Sequence, residues 1–194
     1  MPLIVDKEQK IKEICTKAYQ EFLITGIEKF SLNQFIASSG ISKGQFYHYF
    51  KTKEELVYEV MSFVTLQHLE QIGKVIDQAT TPYAMLTTLF AFYLSKEQEA
   101  KDLRTLIFDA LHIYTHSNEP KIRAHNKEVY DWIDEKLFEI FSEYNLSESI
   151  IKSISTTADG YYIRSLMIDG YDLQKELDAY FLSIIQLISP KGFS

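Results

Sequence analysis

The sequence predicts an all-α protein with about nine helices. Along most of the chain, apolar residues recur every three or four positions, which is the spacing of one buried helix face. Several of these segments begin at a serine or threonine with glutamine or glutamate three positions later, a pattern that caps helix N-termini. No two alternating segments are joined by a hairpin turn, so no sheet is expected.

Three helices are predicted near the N-terminus. The first covers residues 6–25 and ends at Gly26, and two short helices follow at 31–38 and 42–48. Gly40 marks the turn between the short helices, because glycine takes the left-handed conformation that ends a helix without a Cβ clash. Capping boxes predict the helix starts, and they pair Ser31 with Gln34, Ser42 with Gln45, and Thr52 with Glu55. Hydrophobic staples support the first two starts, and they pair Phe30 with Phe35 and Ile41 with Phe46.

A long fourth helix is predicted from Thr52 to about residue 78. Five further amphipathic segments follow it, and they begin near Pro82, Ser95, Pro120, Asn145 and Leu173. No flexible linker separates the fourth helix from the three before it. We therefore expect two domains, over residues 1–51 and 52–194, that are joined rigidly through this helix.

The composition is typical of a folded protein outside the secretory pathway. The chain of 194 residues is 46% hydrophobic, yet it has no apolar run of about 18 residues that would span a membrane. The N-terminus lacks the basic and long apolar segments of a secretory signal. Cys15 is the single cysteine, so no internal disulfide can form and a cytoplasmic location is expected.

Charge is distributed unevenly over a chain whose net charge is −7. Residues 1–55 carry eight lysines and seven acidic residues, a net charge of +1, and the remainder therefore carries −8. No acidic residue lies between Lys29 and Lys53, the segment that contains both short helices. A local basic surface on an acidic protein is compatible with phosphate contact, so we interpret the short helices as a helix-turn-helix that binds double-stranded DNA.

The N-terminal third also follows the pattern S-K-G-x-[FL]-Y-x-[YH]-F-x-x-K-E-x-L without a gap. The matching residues are Phe22, Gly26, Ser31, Leu32, Ile36, Ala37, Gly40, Ile41, Ser42, Lys43, Gly44, Phe46, Tyr47, Tyr49, Phe50, Lys53, Glu54 and Leu56. On these residues the sequence resembles the tetracycline-repressor (TetR) family of bacterial transcription regulators. The resemblance implies a repressor that a small-molecule inducer releases from a palindromic operator. It also implies a C-terminal ligand-binding and dimerisation domain, with a homodimer formed through the predicted eighth and ninth helices.

The residues that face DNA follow from the helix geometry and from the resemblance. Phe46 and Phe50 lie four positions apart and should pack inward, which leaves the other sides of the recognition helix for DNA. Gln45 is suited to adenine, and Lys43 to guanine or phosphate. By resemblance, Lys53 is a phosphate contact. The predicted DNA-binding residues are Ser31, Asn33, Ser42, Lys43, Gly44, Gln45, Tyr47, His48, Tyr49 and Lys53.

The second domain is rich in aromatic residues, most of which are expected to fill a helical core. A pocket wall is another place where tyrosine hydroxyls find partners, and apolar walls with a few polar groups are typical of small-molecule sites. A buried acid in such a site would favour a cationic or hydroxylated ligand. The predicted ligand-binding residues are Phe90, Phe108, Asp109, His112, Tyr130, Ile133, Asp159 and Tyr162.

Two other functions are open at this point. Asp109, His112 and His116 share one helix face, so an all-α metal-binding enzyme would use them as half of a site, with His125 or Asp159 completing it. No E-x-x-H motif, phosphate-binding glycine loop or zinc-type cysteine pair is present, so we expect no enzymatic activity, metal or cofactor. A helical protein-binding adaptor is the other alternative, and the acid-free segment 29–53 argues against it.

Overall fold

A computed structural model describes residues 7–116 and 120–188 of the chain. Over these residues the chain forms helices and no strand, which confirms the all-α prediction. In chain order they are α1 (Lys7–Thr25), α2 (Leu32–Ser38), α3 (Lys43–Tyr49), α4 (Lys53–Ile76), α5 (Pro82–Leu89), α6 (Ala91–Leu94), α7 (Gln98–His116), α8 (Pro120–Ile140), α9 (Glu148–Met167) and α10 (Leu173–Leu187). None of them is both long and apolar enough to cross a membrane.

Most of the predicted helix boundaries agree with the structure, but the starts near Ser95 and Asn145 do not, since α9 begins at Glu148 with Ser147 as its N-cap. α2 and α3 begin one residue after the predicted starts, because Ser31 and Ser42 are N-cap residues. The start predicted at Ser95 is wrong, since α7 begins at Gln98 and Ser95 is the C-cap of α6. α6 has four residues and is not expected from the sequence as a helix separate from α5.

The described residues of Met1–His68 and Glu97–His125 pack together as one unit, called unit 1. Unit 1 contains α1, α2, α3 and α7, together with parts of α4 and α8. Within it, α1 packs against α7. The face of α1 that the apolar spacing predicts is buried, and consists of Ile14, Cys15, Ala18 and Phe22.

Leu69–Lys96 and the described residues of Asn126–Ser194 form a second unit, called unit 2. Its hydrophobic core combines residues of α4, α5, α8, α9 and α10. α5 and α9 both pack against α10, and the Tyr83 hydroxyl of α5 donates to Asp178 Oδ1 of α10 at 3.0 Å. This grouping rests on packing, and the division predicted at residues 51 and 52 stays a prediction.

Candidate nucleic-acid interface and ligand site

The segment from α2 to α3 has the geometry of a helix-turn-helix. α2 ends at Ser38, Gly40 has a φ of 73°, and α3 begins at Lys43. Residues with a Cβ rarely adopt a φ of this sign, which is why the sequence places glycine here. The helix stop that Gly40 predicts is therefore confirmed.

The three predicted capping boxes have three different outcomes. At α3 both halves form, since Ser42 Oγ accepts from the Gln45 N–H at 3.2 Å and Gln45 Oε1 accepts from the Ser42 N–H at 3.3 Å. At α4 one half forms, because Thr52 Oγ1 accepts from the Glu55 N–H at 3.0 Å. The Glu55 carboxylate accepts instead from the N–H of the residue before Thr52. The box predicted at Ser31 is wrong, because its side chain makes no capping hydrogen bond.

Phenylalanine rings anchor α3 within unit 1. Phe46 of α3 is fully buried, and its ring centroid lies 6.5 Å from that of Phe35 and 5.4 Å from that of Phe50. The ring contacts continue from Phe35 to Phe30 at 5.4 Å and from Phe30 to Phe22 of α1 at 4.7 Å. Ring pairs at these separations add to the stability that burial of their apolar surface provides. The inward packing predicted for Phe46 and Phe50 is confirmed.

The other side chains of α3 form an exposed polar face. Tyr47 is 48% exposed even though its ring edge contacts Phe46, with ring centroids 5.5 Å apart. Tyr49 is half-buried, and its ring centroid lies 5.1 Å from that of His48. The residues exposed on this face and beside it are Asn33, Ser42, Lys43, Gly44, Gln45, Tyr47 and His48, whereas Ser31 is half-buried. No acidic side chain belongs to α2 or α3, so the face carries only neutral and basic groups.

Two lysines beside this face donate to backbone carbonyls. Lys53 Nζ donates to Glu28 O at 3.3 Å and to Phe30 O at 2.9 Å, and it lies 5.7 Å from the centroid of the Phe30 ring. Lys17 Nζ of α1 donates to Ser39 O at 2.8 Å, just beyond α2. Lys17 therefore holds the turn between α2 and α3, and Lys53 holds the segment between α1 and α2. Local sequence carries no signal of this role, because each partner lies more than 20 residues away.

A cluster of tyrosines surrounds Asp159 in unit 2. The hydroxyls of Tyr93 on α6 and Tyr130 on α8 both donate to the Asp159 carboxylate on α9. The ring of Tyr93 is stacked on that of Tyr162, with centroids 4.7 Å apart and an interplanar angle of 10°. Burial raises the pKa of Asp159, and the two tyrosine hydrogen bonds oppose that rise. The structure thus brings together Tyr130, Asp159 and Tyr162 of the predicted ligand residues.

Tyr93 is the member of this cluster that the sequence does not predict. It is separated from Asp159 by 66 residues, so no local spacing connects the two. Burial and the nearby Asp159 both raise the pKa of Tyr93 far above its ordinary value, and burial raises the pKa of Tyr130 as well. Both tyrosines therefore stay protonated as hydrogen-bond donors to the carboxylate.

Among the other predicted ligand residues, Phe90 contacts this cluster, because its ring centroid lies 6.1 Å from that of Tyr93. Phe90 and Ile133 contribute to the hydrophobic core of unit 2. Phe108, Asp109 and His112 lie on α7 in unit 1. There, Asp109 Oδ2 accepts a hydrogen bond from the Ile27 N–H at 3.3 Å, immediately after α1.

The predicted polar stripe of α7 makes hydrogen bonds within the protein. His116 Nδ1 donates to His112 O at 2.8 Å, and the two imidazole centroids are 4.4 Å apart. Asp109 is turned to the backbone of Ile27. Across the described ranges, no three histidine, cysteine or carboxylate side chains are grouped closely enough to hold a metal ion.

A family match covers the region just described. Residues 14–60 match the model of bacterial regulatory proteins of the tetR family. An HTH-type transcriptional regulator of Staphylococcus aureus is 22% identical over 175 residues, which cover 86% of this chain and 89% of that protein. The matched family segment runs from α1 into α4 and includes the whole helix-turn-helix.

Solved structures share the fold over nearly the full chain. A transcriptional regulator of Saccharomonospora viridis in complex with choline has a TM-score of 0.72 at 13% identity, covering 94% of this chain and 99% of that one. The transcriptional regulator FadR of Bacillus subtilis in complex with stearoyl-CoA has a TM-score of 0.57 at 19% identity, covering 91% and 96%. At these identities the likeness establishes the fold.

Proposed function

Because the chain is a transcriptional regulator of the bacterial tetR family, we propose that it is a homodimeric repressor that leaves a palindromic operator when a small molecule binds unit 2. The arrangement of α3 carries the DNA-binding part of this proposal. Phe46 is fully buried, while its neighbours Gln45 and Tyr47 are exposed. The family and the fold are those of regulators rather than enzymes. The chain would act in the cytoplasm, where bacterial DNA lies.

α3 would act as the recognition helix in the major groove. Lys43, at its first position, would reach guanine acceptors or a phosphate, and Tyr47 and His48 would position the DNA backbone. Gln45 has a further constraint, because its Oε1 atom accepts from the Ser42 N–H in the cap. Donation from its amide nitrogen is compatible with the cap, and a bidentate contact to adenine would use the second lone pair of Oε1.

Two substitutions on the exposed face test the DNA-binding part. Lys43→Ala and Tyr47→Ala should each abolish binding in a gel shift on the DNA upstream of the chain's own gene, with far-UV circular dichroism unchanged. Lys101→Ala removes an exposed lysine from α7 and is the matched control, for which we expect wild-type binding. Unchanged binding of both α3 variants would contradict the assignment.

The homodimer would form through α9 and α10, the predicted eighth and ninth helices. Ile163, Leu166 and Met167 follow helical spacing on α9 and are all exposed, with Met167 at 79%. Leu182 and Leu187 are exposed on α10, which packs against α9. Exposed apolar side chains concentrated on two adjacent helices are typical of a protein–protein contact.

Sedimentation equilibrium at micromolar concentration tests the dimer. The wild-type protein should be a dimer, and the double variant Leu166→Glu/Leu182→Glu should be a monomer that keeps its helical circular dichroism. Val75→Glu is the matched control, since Val75 is exposed to a similar degree, 53%, but lies on α4. A wild-type monomer, or a double variant that remains dimeric, would refute this interface.

Release from DNA would follow from ligand binding in unit 2. Two solved neighbours carry choline and stearoyl-CoA, which are chemically unlike, so the fold supports a small-molecule site without selecting its ligand. α4 is one continuous helix from Lys53 to Ile76 and supplies residues to both units. A ligand shifts the equilibrium only if it binds the DNA-bound and free forms with different affinity. A coupling of about 1–3 kcal/mol would lower operator affinity by roughly 5–150-fold.

A further inference from the structure

Among the described residues, the carboxylate of Asp159 has no positively charged partner. Its hydrogen-bond donors are the hydroxyls of Tyr93 and Tyr130, and no lysine or arginine of the described residues forms an ion pair with it. Asp159 is nevertheless half-buried. A partly buried carboxylate without a counter-ion is costly, and a bound cation would remove that cost.

The aromatic side chains around Asp159 differ in their exposure to solvent. Tyr162 is buried, with 9% of its surface exposed, and it stacks on Tyr93, which is half-buried. Tyr130 is 52% exposed, although its hydroxyl is bonded to Asp159. A ligand that reaches Asp159 from the solvent side would therefore also contact the ring of Tyr130.

A carboxylate beside electron-rich rings is the arrangement that attracts organic cations. Aromatic faces bind quaternary ammonium groups through the negative charge on the ring face, and tyrosine is among the stronger partners. The net negative charge of the chain also favours cations over neutral ligands, because the residues after 55 carry a net charge of −8. A neutral hydroxylated ligand would gain hydrogen bonds here but would leave the charge of Asp159 unpaired.

We propose that Tyr93, Tyr130, Asp159 and Tyr162 bind a small organic cation with a quaternary or substituted ammonium group. The cationic centre would lie beside the Asp159 carboxylate and against the face of the exposed Tyr130 ring. This inference rests on the proposed function, because it assigns a chemical class to the ligand of unit 2. It does not depend on DNA release for its test.

Titration calorimetry with two isosteric probes tests the site. Phenyltrimethylammonium carries the cation, and tert-butylbenzene has the same shape without the charge. The cation should bind the full-length protein saturably, at least tenfold more tightly than the neutral probe. Asp159→Asn keeps the side-chain shape and removes the charge, and should weaken the cation at least tenfold.

Two further variants separate charge recognition from a structural effect. Tyr130→Leu removes the ring and should also weaken the cation, whereas Tyr130→Phe keeps the ring and should bind better than Tyr130→Leu. Asp178→Asn is the matched control, because Asp178 accepts from Tyr83 at 3.0 Å in the same unit. Its affinity for the cation should equal that of the wild-type protein.

Three results would overturn the cation site: no saturable binding of phenyltrimethylammonium, equal affinity for the two probes, or unchanged affinity in Asp159→Asn. A gel shift run in parallel distinguishes the two proposals. If the protein binds DNA but not the cation, the proposed cation site is wrong and the proposed DNA-binding function is retained. If the cation binds as expected but never reduces DNA binding, the site stands and the proposed induction by ligand in this cluster is wrong.

Discussion

Two glycines of the helix-turn-helix should respond to alanine with opposite signs. Gly40, in the turn, has a φ of 73°, and no atom of the described residues outside its chain neighbours lies within 4 Å of the point where a Cβ would be. An alanine at position 40 would therefore have an unfavourable backbone conformation but no steric clash. Gly44 also has open space within 4 Å, but it lies inside α3 and its φ is not positive. The pair therefore separates the conformational cost of a side chain from its effect on DNA contact.

The magnitudes follow from these two conformations. A residue with a Cβ in the left-handed region costs about 1–2 kcal/mol, so Gly40→Ala should lower the free energy of unfolding by that amount. Alanine is favoured over glycine in a helix by up to about 1 kcal/mol, so Gly44→Ala should raise the free energy of unfolding. In a chain of this size, each kcal/mol corresponds to about 2–4 °C in melting temperature.

DNA affinity should follow a different order from stability. Gly44→Ala places a methyl group on the exposed face where the backbone of α3 would approach the DNA, and should weaken binding at least tenfold, or about 1.4 kcal/mol. Gly40→Ala leaves that face unchanged and should bind normally below its melting temperature. Thermal unfolding followed by circular dichroism, with gel shifts at about 20 °C below the melting temperature, measures both quantities. A destabilised Gly44→Ala variant, or one that binds DNA as well as the wild type, would refute the reasoning.

Three other perturbations have expected outcomes. Phe46→Ala should lower the free energy of unfolding by about 3–5 kcal/mol, because the ring is fully buried; a loss below about 1 kcal/mol in urea unfolding would contradict that anchoring role. Burial, reinforced by Glu59, raises the pKa of the Cys15 thiol to about 12. The native protein should therefore resist alkylation of Cys15 by iodoacetamide at about pH 8. Its free energy of unfolding should fall from about pH 8.5 upward, because only the unfolded chain releases the thiol proton in that range. Rapid alkylation of the native protein would disprove the burial of this thiol. Asp109→Ala removes the acceptor for the Ile27 N–H and should lower the free energy of unfolding by about 1 kcal/mol, with a smaller loss in Asp109→Asn; equal urea midpoints for all three proteins would exclude this contact.

Features that depend on neighbouring residues were predictable from the sequence. The Ser42–Gln45 capping box and the stop at Gly40 involve atoms within a few residues of each other, and both are confirmed. The buried position of Phe46 follows from helical spacing alone. The prediction at Ser31 is wrong for a related reason, because a local pattern allows a cap but does not compel the hydroxyl to make it.

Features that depend on the folded chain were not predictable. Asp109 accepts from Ile27, 82 residues earlier, and Tyr93 donates to Asp159, 66 residues later. No periodicity relates such positions, because their proximity is decided by how the helices pack. The break that separates α6 from α5 at Phe90 also has no sequence signal, since neither proline nor glycine occurs there.

The internal bonds of Lys17 and Lys53 bear on how the regulator searches a chromosome. Hydrogen bonds to neutral carbonyl oxygens leave the charge of each ammonium group in place but hold its side chain to the protein, so fewer long cationic side chains are free to follow the phosphates of arbitrary DNA. We expect the protein to dissociate quickly from non-specific DNA, and its non-specific binding to depend only weakly on ionic strength. A larger share of the molecules would then be free in the cell, and a small copy number would suffice to keep a target occupied.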